Sequence, residues 1–209
     1  ILENNNDEII TYYVEENPGI LYLDTSIINF DTTITIQKNA VQISSLGRNL
    51  DHTNFIKDTI NSIDKLIDLD FEKMDTNNGS EIDIYIVNGS SSIAPNAIGQ
   101  AISQSTNNGY WWDILWKKGS LNSLQDSDKN TFIHEFGHTL GLSHPYEDPF
   151  NKQWNSSDTI MSYNAGPNGW QINFSESDIE ALISIWGRED DDGNINYQRK
   201  FKEYEFTRN

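Results

Sequence analysis

Apolar positions in the first part of the chain recur in short runs with a period of two. Examples are Ile9-Ile10-Thr11-Tyr12-Tyr13-Val14 and Thr33-Ile34-Thr35-Ile36, with breaks at Asn17-Pro18-Gly19 and at Gly47. That period belongs to strands, and clusters of Asn, Pro and Gly end them. The period then lengthens: Phe55, Ile56, Ile60, Ile63, Leu66 and Ile67 recur three or four places apart, which predicts an amphipathic helix over 53–67 capped by Asp51 or Thr53. Alternation returns around Leu69-Asp70-Phe71-Glu72 and over 81–87, where Ile82, Ile84 and Ile86 share one face and Asp83 and Tyr85 the other. The polar stretch 75–79, ending Asn-Gly, reads as the turn between these two strands. Tyr110-Trp111-Trp112-Asp113-Ile114-Leu115-Trp116 is the most aromatic run and is read as core or sheet-face packing in preference to a ligand platform. A second helix starts at Asp126 or Ser127 and buries Phe132, Ile133, Phe136 and Leu140. Residues after His144 carry no periodicity. Ser175-Glu176-Ser177-Asp178 then has the form of a capping box opening a third helix, with Ile179, Leu182, Ile183 and Trp186 on one face and Gly187 as its stop. Runs of strands with helices between and after them are read as an α+β fold.

The second helix carries the candidate chemistry. His134-Glu135-Phe136-Gly137-His138-Thr139-Leu140-Gly141-Leu142-Ser143-His144 contains three imidazoles and one carboxylate. On a helix running through Leu140, His134 and His138 stand about 40° apart around the axis and about 6 Å along it, so both rings reach one ion. Glu135 projects beside that pair, where its carboxylate can touch a water on the metal without being a ligand, as a general base must. His144 faces elsewhere unless the chain turns, and Gly141 permits a helix end at positive φ. Three neutral imidazoles leave a fourth position for water, which distinguishes a catalytic zinc site from a closed structural one. The donor set suits zinc among the divalent ions. His52, outside this cluster, reads as an ordinary capping or surface histidine.

The same run resembles the extended zinc signature of the metzincin metallopeptidases, including its glycine and third histidine. Ser157-Asp158-Thr159-Ile160-Met161-Ser162-Tyr163 is similar to that family's Met-turn, its methionine lying seventeen residues after His144. Pro145 and the Met-x-Tyr spacing resemble the serralysin branch most, and astacins share the tyrosine. The resemblance implies a zincin-like catalytic domain: a twisted mixed sheet with an active-site helix and a backing helix, then a lower subdomain with the Met-turn and a C-terminal helix. It divides the single domain, 1–209, into an upper part over about 1–141, a lower part over about 142–187 and a charged tail over 188–209. It also implies a zinc-dependent endopeptidase using one Zn²⁺, with His134, His138 and His144 as ligands, Glu135 as general base and Met161 as a hydrophobic floor. Tyr163 would be a metal-associated phenol that moves aside for substrate and then hydrogen-bonds the oxyanion; simple packing on the floor is the alternative. Gly99-Gln100-Ala101-Ile102-Ser103 would be an exposed edge strand to which an extended peptide adds, and Trp170 a pocket wall. The run Asp178-Ile179-Glu180-Ala181-Leu182-Ile183-Ser184-Ile185-Trp186-Gly187 resembles the end of serralysin catalytic domains. Serralysins continue into calcium-binding nonapeptide repeats, and this chain continues instead into an acidic run and a charged tail. Secretion is implied by the resemblance alone. A non-catalytic, zinc-containing peptide-binding or adhesion module is the rival reading.

Length and charge narrow the field further. The chain has 209 residues, enough for one domain with a sizeable core. It has no cysteine, which removes disulfides, thiolate metal sites and a cysteine nucleophile. A net charge of −18 disfavours nucleic acid and anionic membranes as partners, while the resemblance implies a protein or peptide substrate. No apolar run is long enough to span a membrane, and the first residues have no signal-peptide pattern. Calcium has two candidate places, the 75–79 turn and the acidic run Glu189-Asp190-Asp191-Asp192-Gly193, each of which also reads as ordinary solvated chain.

Overall fold

A computed structural model of the chain describes residues 8–26, 38–90, 93, 96–106 and 109–189. Its strands are β1 (Ile9–Val14), β2 (Pro18–Ser26), β3 (Lys38–Leu46), β4 (Asp70–Lys73), β5 (Ile82–Ser90), β6 (Gly99–Thr106) and β7 (Gly109–Lys117). Its helices are α1 (Leu50–Asp64), α2 (Asp126–Thr139) and α3 (Glu176–Trp186), with a single 3₁₀ turn at Pro145–Glu147. The fold is α+β with a mixed sheet and three helices. The expected strand at Thr33-Ile34-Thr35-Ile36 and the acidic run beyond Glu189 lie outside the described residues.

β5 is the axis of the sheet. Its Ile82–Val87 stretch pairs in parallel with Trp112–Lys117 of β7, so β1 and β3 share its other edge. β1 takes the first half of that edge in parallel, and β3 takes the second half antiparallel. β4 extends the sheet in parallel beyond β1, β6 lies antiparallel to β7 on the far side, and among the described residues β2 pairs with β3 alone.

The alternation in β5 and β7 sends two sets of residues to opposite faces. Ile82, Ile84, Ile86, Ile114 and Trp116 face the helices and pack with Ile56, Ile60 and Ile63 of α1 and Phe132, Ile133 and Phe136 of α2. Each of these side chains, fully buried, contributes about 1.5–3 kcal/mol from apolar area alone. Tyr85, Val87 and Leu115 point the other way and are covered by Leu23 and Ile43 of the β2–β3 hairpin and by Ile93. The sheet is therefore buried on both faces, and the polar residues that alternation places outward, Asp83 and Asp113, are buried as well.

Three expectations need correction at α1. The helix begins at Leu50, because Asn49 is the N-cap and its Oδ1 accepts from the His52 N–H at 3.0 Å; neither Asp51 nor Thr53 is the cap. It ends at Asp64, whose carboxylate accepts from the Phe71 N–H at 3.1 Å and ties the helix end to β4, so Leu66 and Ile67 fall past it. His52 is not a surface residue: it is fully buried, its Nδ1 meets Asn49 Oδ1, and its ring lies 5.3 Å from that of Trp116. Among the described residues no helix is long and apolar enough to cross a membrane.

Candidate metal centre

α2 opens with the Gln125 N–H donating to Asp128 at 2.9 Å, and the buried Lys118 ammonium pairs with the same carboxylate. It closes as the sequence predicts. Gly141 adopts φ +100°, its N–H reaches the His138 carbonyl at 3.1 Å, and the Leu142 N–H reaches the Gly137 carbonyl at 2.9 Å. This pair of bonds is the Schellman arrangement, which satisfies the last carbonyls and reverses the chain. His144 is thereby returned to the helix face that carries His134 and His138.

The three rings converge. Centroids are 4.8 Å apart for His134 and His138, 5.2 Å for His134 and His144, and 4.8 Å for His138 and His144. Each side chain offers one nitrogen within 4.8 Å of the others, a donor set able to hold a metal ion. His134 Nδ1 lies 3.0 Å from the Ile160 carbonyl and His138 Nδ1 lies 2.9 Å from that of Leu142. A carbonyl only accepts, so both Nδ1 atoms carry hydrogen and both Nε2 atoms present lone pairs. Burial holds all three imidazoles below the usual histidine range, His134 down to about 3, which keeps them neutral at neutral pH. His144 Nε2 is 3.3 Å from His134 Nε2. Two nitrogens about 2.0–2.1 Å from one tetrahedral ion stand about 3.3–3.4 Å apart, so the spacing fits shared coordination. It is long for a direct hydrogen bond.

The turn at 159–162 supports this set from below. The Ser162 N–H donates to the Thr159 carbonyl at 3.2 Å, and Asp178 accepts from Thr159 Oγ1 at 2.6 Å and from the Ile160 N–H at 2.9 Å. Asp178 thus holds residue 160 in place from its N–H side, and the carbonyl of the same residue orients His134. Met161 is buried, and its sulfur would lie 3.0 Å from a β-carbon at Gly137, so the missing side chain lets α2 settle onto the methionine.

Glu135 is buried next to His134, and its carboxylate accepts from the Ala101 N–H of β6. Burial pushes it up to about 7 while the Ala101 N–H pulls the other way. Tyr163 is partly exposed, with its ring 5.1 Å from those of both His134 and His144 and edge-on to Phe150 at 5.0 Å. Burial and, next, the charge of Glu135 hold its hydroxyl above the usual tyrosine range, so it remains a donor. All five expected site residues therefore gather in one place.

Sequence reasoning missed the carbonyls of Ile160 and Leu142, the Ala101 amide and the anchoring role of Asp178. Only Asp178 left a trace, as the acid of a capping box. Trp170 is partly buried just after the bridge between Gly166 and Gly169. Among the described residues the histidine triad is the group that gathers three such ligand atoms, and the 75–79 turn is not part of one. No protein-family model matches the chain, and no curated protein matches it.

Proposed function

We propose that the chain is a zinc-dependent endopeptidase of the metzincin type, hydrolysing bonds within extended peptides. One observation carries the reading: three neutral imidazoles bring one nitrogen each within 4.8 Å of the others, one pair at 3.3 Å, beside a buried carboxylate that is itself bonded to an edge strand. His134, His138 and His144 would hold a zinc ion, which would supply Lewis-acid chemistry for activating water and polarising the carbonyl to be cut.

The protein's own groups do the rest. β6 pairs with β7 alone among the described residues, so an extended peptide has an edge on which to add as a further strand. Glu135 takes the proton of the attacking water on its carboxylate and passes it to the nitrogen of the departing amine. Burial favours the protonated form of this carboxyl, which helps it hold the proton between the two transfers. Tyr163 donates its hydroxyl hydrogen to the oxygen that gains charge as the carbonyl becomes tetrahedral. The two Nδ1 bonds hold the imidazoles in the tautomer and orientation the ion needs.

Digesting a proteome-derived peptide library with and without chelator tests the reading. Cleavage should vanish with the metal and return on adding zinc. Glu135→Ala should keep the metal and cut at least about a thousandfold more slowly. Retained metal with no cleavage by the unaltered protein would favour the binding-module rival, and full activity in Glu135→Ala would refute the role of the carboxylate.

A further inference from the structure

Gly99 opens β6 and faces α2. Its φ lies outside the left-handed region, so the position does not need the backbone freedom of glycine. It needs the missing side chain: a β-carbon there would stand 2.6 Å from Glu135 Oε1, 2.8 Å from Glu135 Cγ and 2.7 Å from Thr131 Cγ2. No packed carbon tolerates such distances, so a side chain at 99 and the Glu135 carboxylate exclude one another.

The second contact comes from the same strand. The Lys117 N–H of β7 bonds the Ile98 carbonyl at 3.0 Å. Alternation along an antiparallel pair then turns the backbone groups of Gln100 and Ile102 toward β7 and those of Gly99, Ala101 and Ser103 toward the free edge. One of those edge groups, the Ala101 N–H, donates to Glu135.

We propose that Gly99 and the Ala101 N–H form a positioning element for Glu135, the first leaving the space its carboxylate fills and the second bonding it there. This rests on reading Glu135 as the proton carrier. The strand that would receive the peptide backbone then also sets the base, so substrate and base share one frame. Neither residue touches the reacting atoms; both act through Glu135.

The test uses Thr131→Ser as background. That change deletes the crowding Cγ2 and keeps the hydroxyl that donates to the Ser127 carbonyl at 2.9 Å. Gly99→Ala added to it leaves Glu135 as the group that must move. Relative to Thr131→Ser alone, the Ala101 amide of the metal-free protein should exchange with solvent at least about tenfold faster, because it loses a charge-assisted bond at an open edge. One metal ion per chain should still bind. kcat should fall about tenfold or more with KM within about twofold, the pattern of a misplaced proton carrier as opposed to weakened binding. An Ala101 amide as slow as in the background, an unchanged kcat, or loss of the metal would each overturn the proposal. Should the double variant not fold, Ala101→Pro deletes the N–H and sets a ring carbon in its place, at an edge position where proline is tolerated. It carries the same kcat expectation, and an unchanged kcat there would overturn the proposal equally. Absence of chelator-sensitive cleavage in the background protein would sink the peptidase reading, while the amide exchange would still decide whether Gly99 and Ala101 hold Glu135.

Discussion

Glu135 and the pair Asp83 and Asp113 are all buried carboxylates raised toward neutrality, to about 7, about 7 and about 6, with burial the main cause in each. Their surroundings differ. Glu135 sits beside three imidazole nitrogens at an open strand edge. Asp83 and Asp113 face one another across β5 and β7 on the hairpin-covered side of the sheet. Their partners there are neutral: the Ser80 hydroxyl for Asp83, and the Gln104 amide at 2.7 Å and the Trp111 side chain for Asp113. A cavity of about 260 Å³ bordered by Tyr22, Trp111 and Asn77 adjoins that pair, away from the histidines. A raised proton affinity occurs at both places and the cavity lies beside the aspartates, so neither feature singles out the chemistry. Converging lone pairs do, and they occur on the helix side.

Asp178 offers the strongest way to break the contrast, since it is a buried carboxylate of a third kind, supplied with donors. It accepts from Thr159 Oγ1, the Ile160 N–H, the Ser175 N–H and Ser175 Oγ. Asp178→Ala strands those donors, and chemical denaturation should show a loss of about 3 kcal/mol. Because the Ile160 carbonyl orients His134, zinc affinity in a competitive titration should also fall about tenfold or more. Stability lost with metal affinity intact would detach the turn from the metal site.

Tyr163→Phe sharpens the same comparison from the cleft side. The ring contacts with His134, His144 and Phe150 survive this change, and only the hydroxyl goes. Removing one donor from a developing oxyanion costs about a hundredfold in well-enclosed sites; with a ring 42 % exposed, a fall in kcat of about thirtyfold with Tm unchanged is expected. An unchanged kcat would return Tyr163 to plain packing.

The legible and illegible parts of this molecule divide by range. The convergence of His134, His138 and His144 could be read because it depends on one helix and one glycine turn, interactions that close within eleven residues. The capping box at Ser175 and the alternation in β5 are equally local. Asn49, by contrast, caps α1 ahead of two better-placed candidates. His52 is buried because Trp116, distant in sequence, lies against it. Asp83 could be assigned to a face by its period of two, but whether that face meets water depended on the β2–β3 hairpin folding across it. Likewise the Ala101 amide reaches Glu135 only through the sheet's arrangement against α2. Sequence periodicity reports which way a residue points, and long-range packing decides what it meets.

The smallest expected effect concerns the outer carboxylates and follows from their proton affinity. In the unfolded chain Asp83 and Asp113 titrate near the ordinary aspartate value of about 4, whereas in the fold they hold protons up to about 7 and about 6. The folded state therefore binds more protons between those limits, and stability must fall as pH rises through them. Above about 7 both groups are ionised in the fold and the full penalty stands; below about 4 both states are protonated and it is gone. The neutral buried imidazoles act oppositely in the metal-free protein, since the unfolded chain protonates them first as pH drops, so only a difference between variants isolates the aspartates. Asp83→Asn keeps an acceptor for Ser80 and has no charge to bury. At pH 8 it should be more stable than the unaltered protein by about 1–2 kcal/mol, an advantage that disappears by about pH 5, with peptide cleavage at pH 7 the same in both. Urea unfolding at a series of pH values measures the first and the library digest the second. A stability difference independent of pH would mean that Asp83 titrates in the fold as it does in the unfolded chain, and a change in cleavage would mean that the two faces of the sheet are coupled after all.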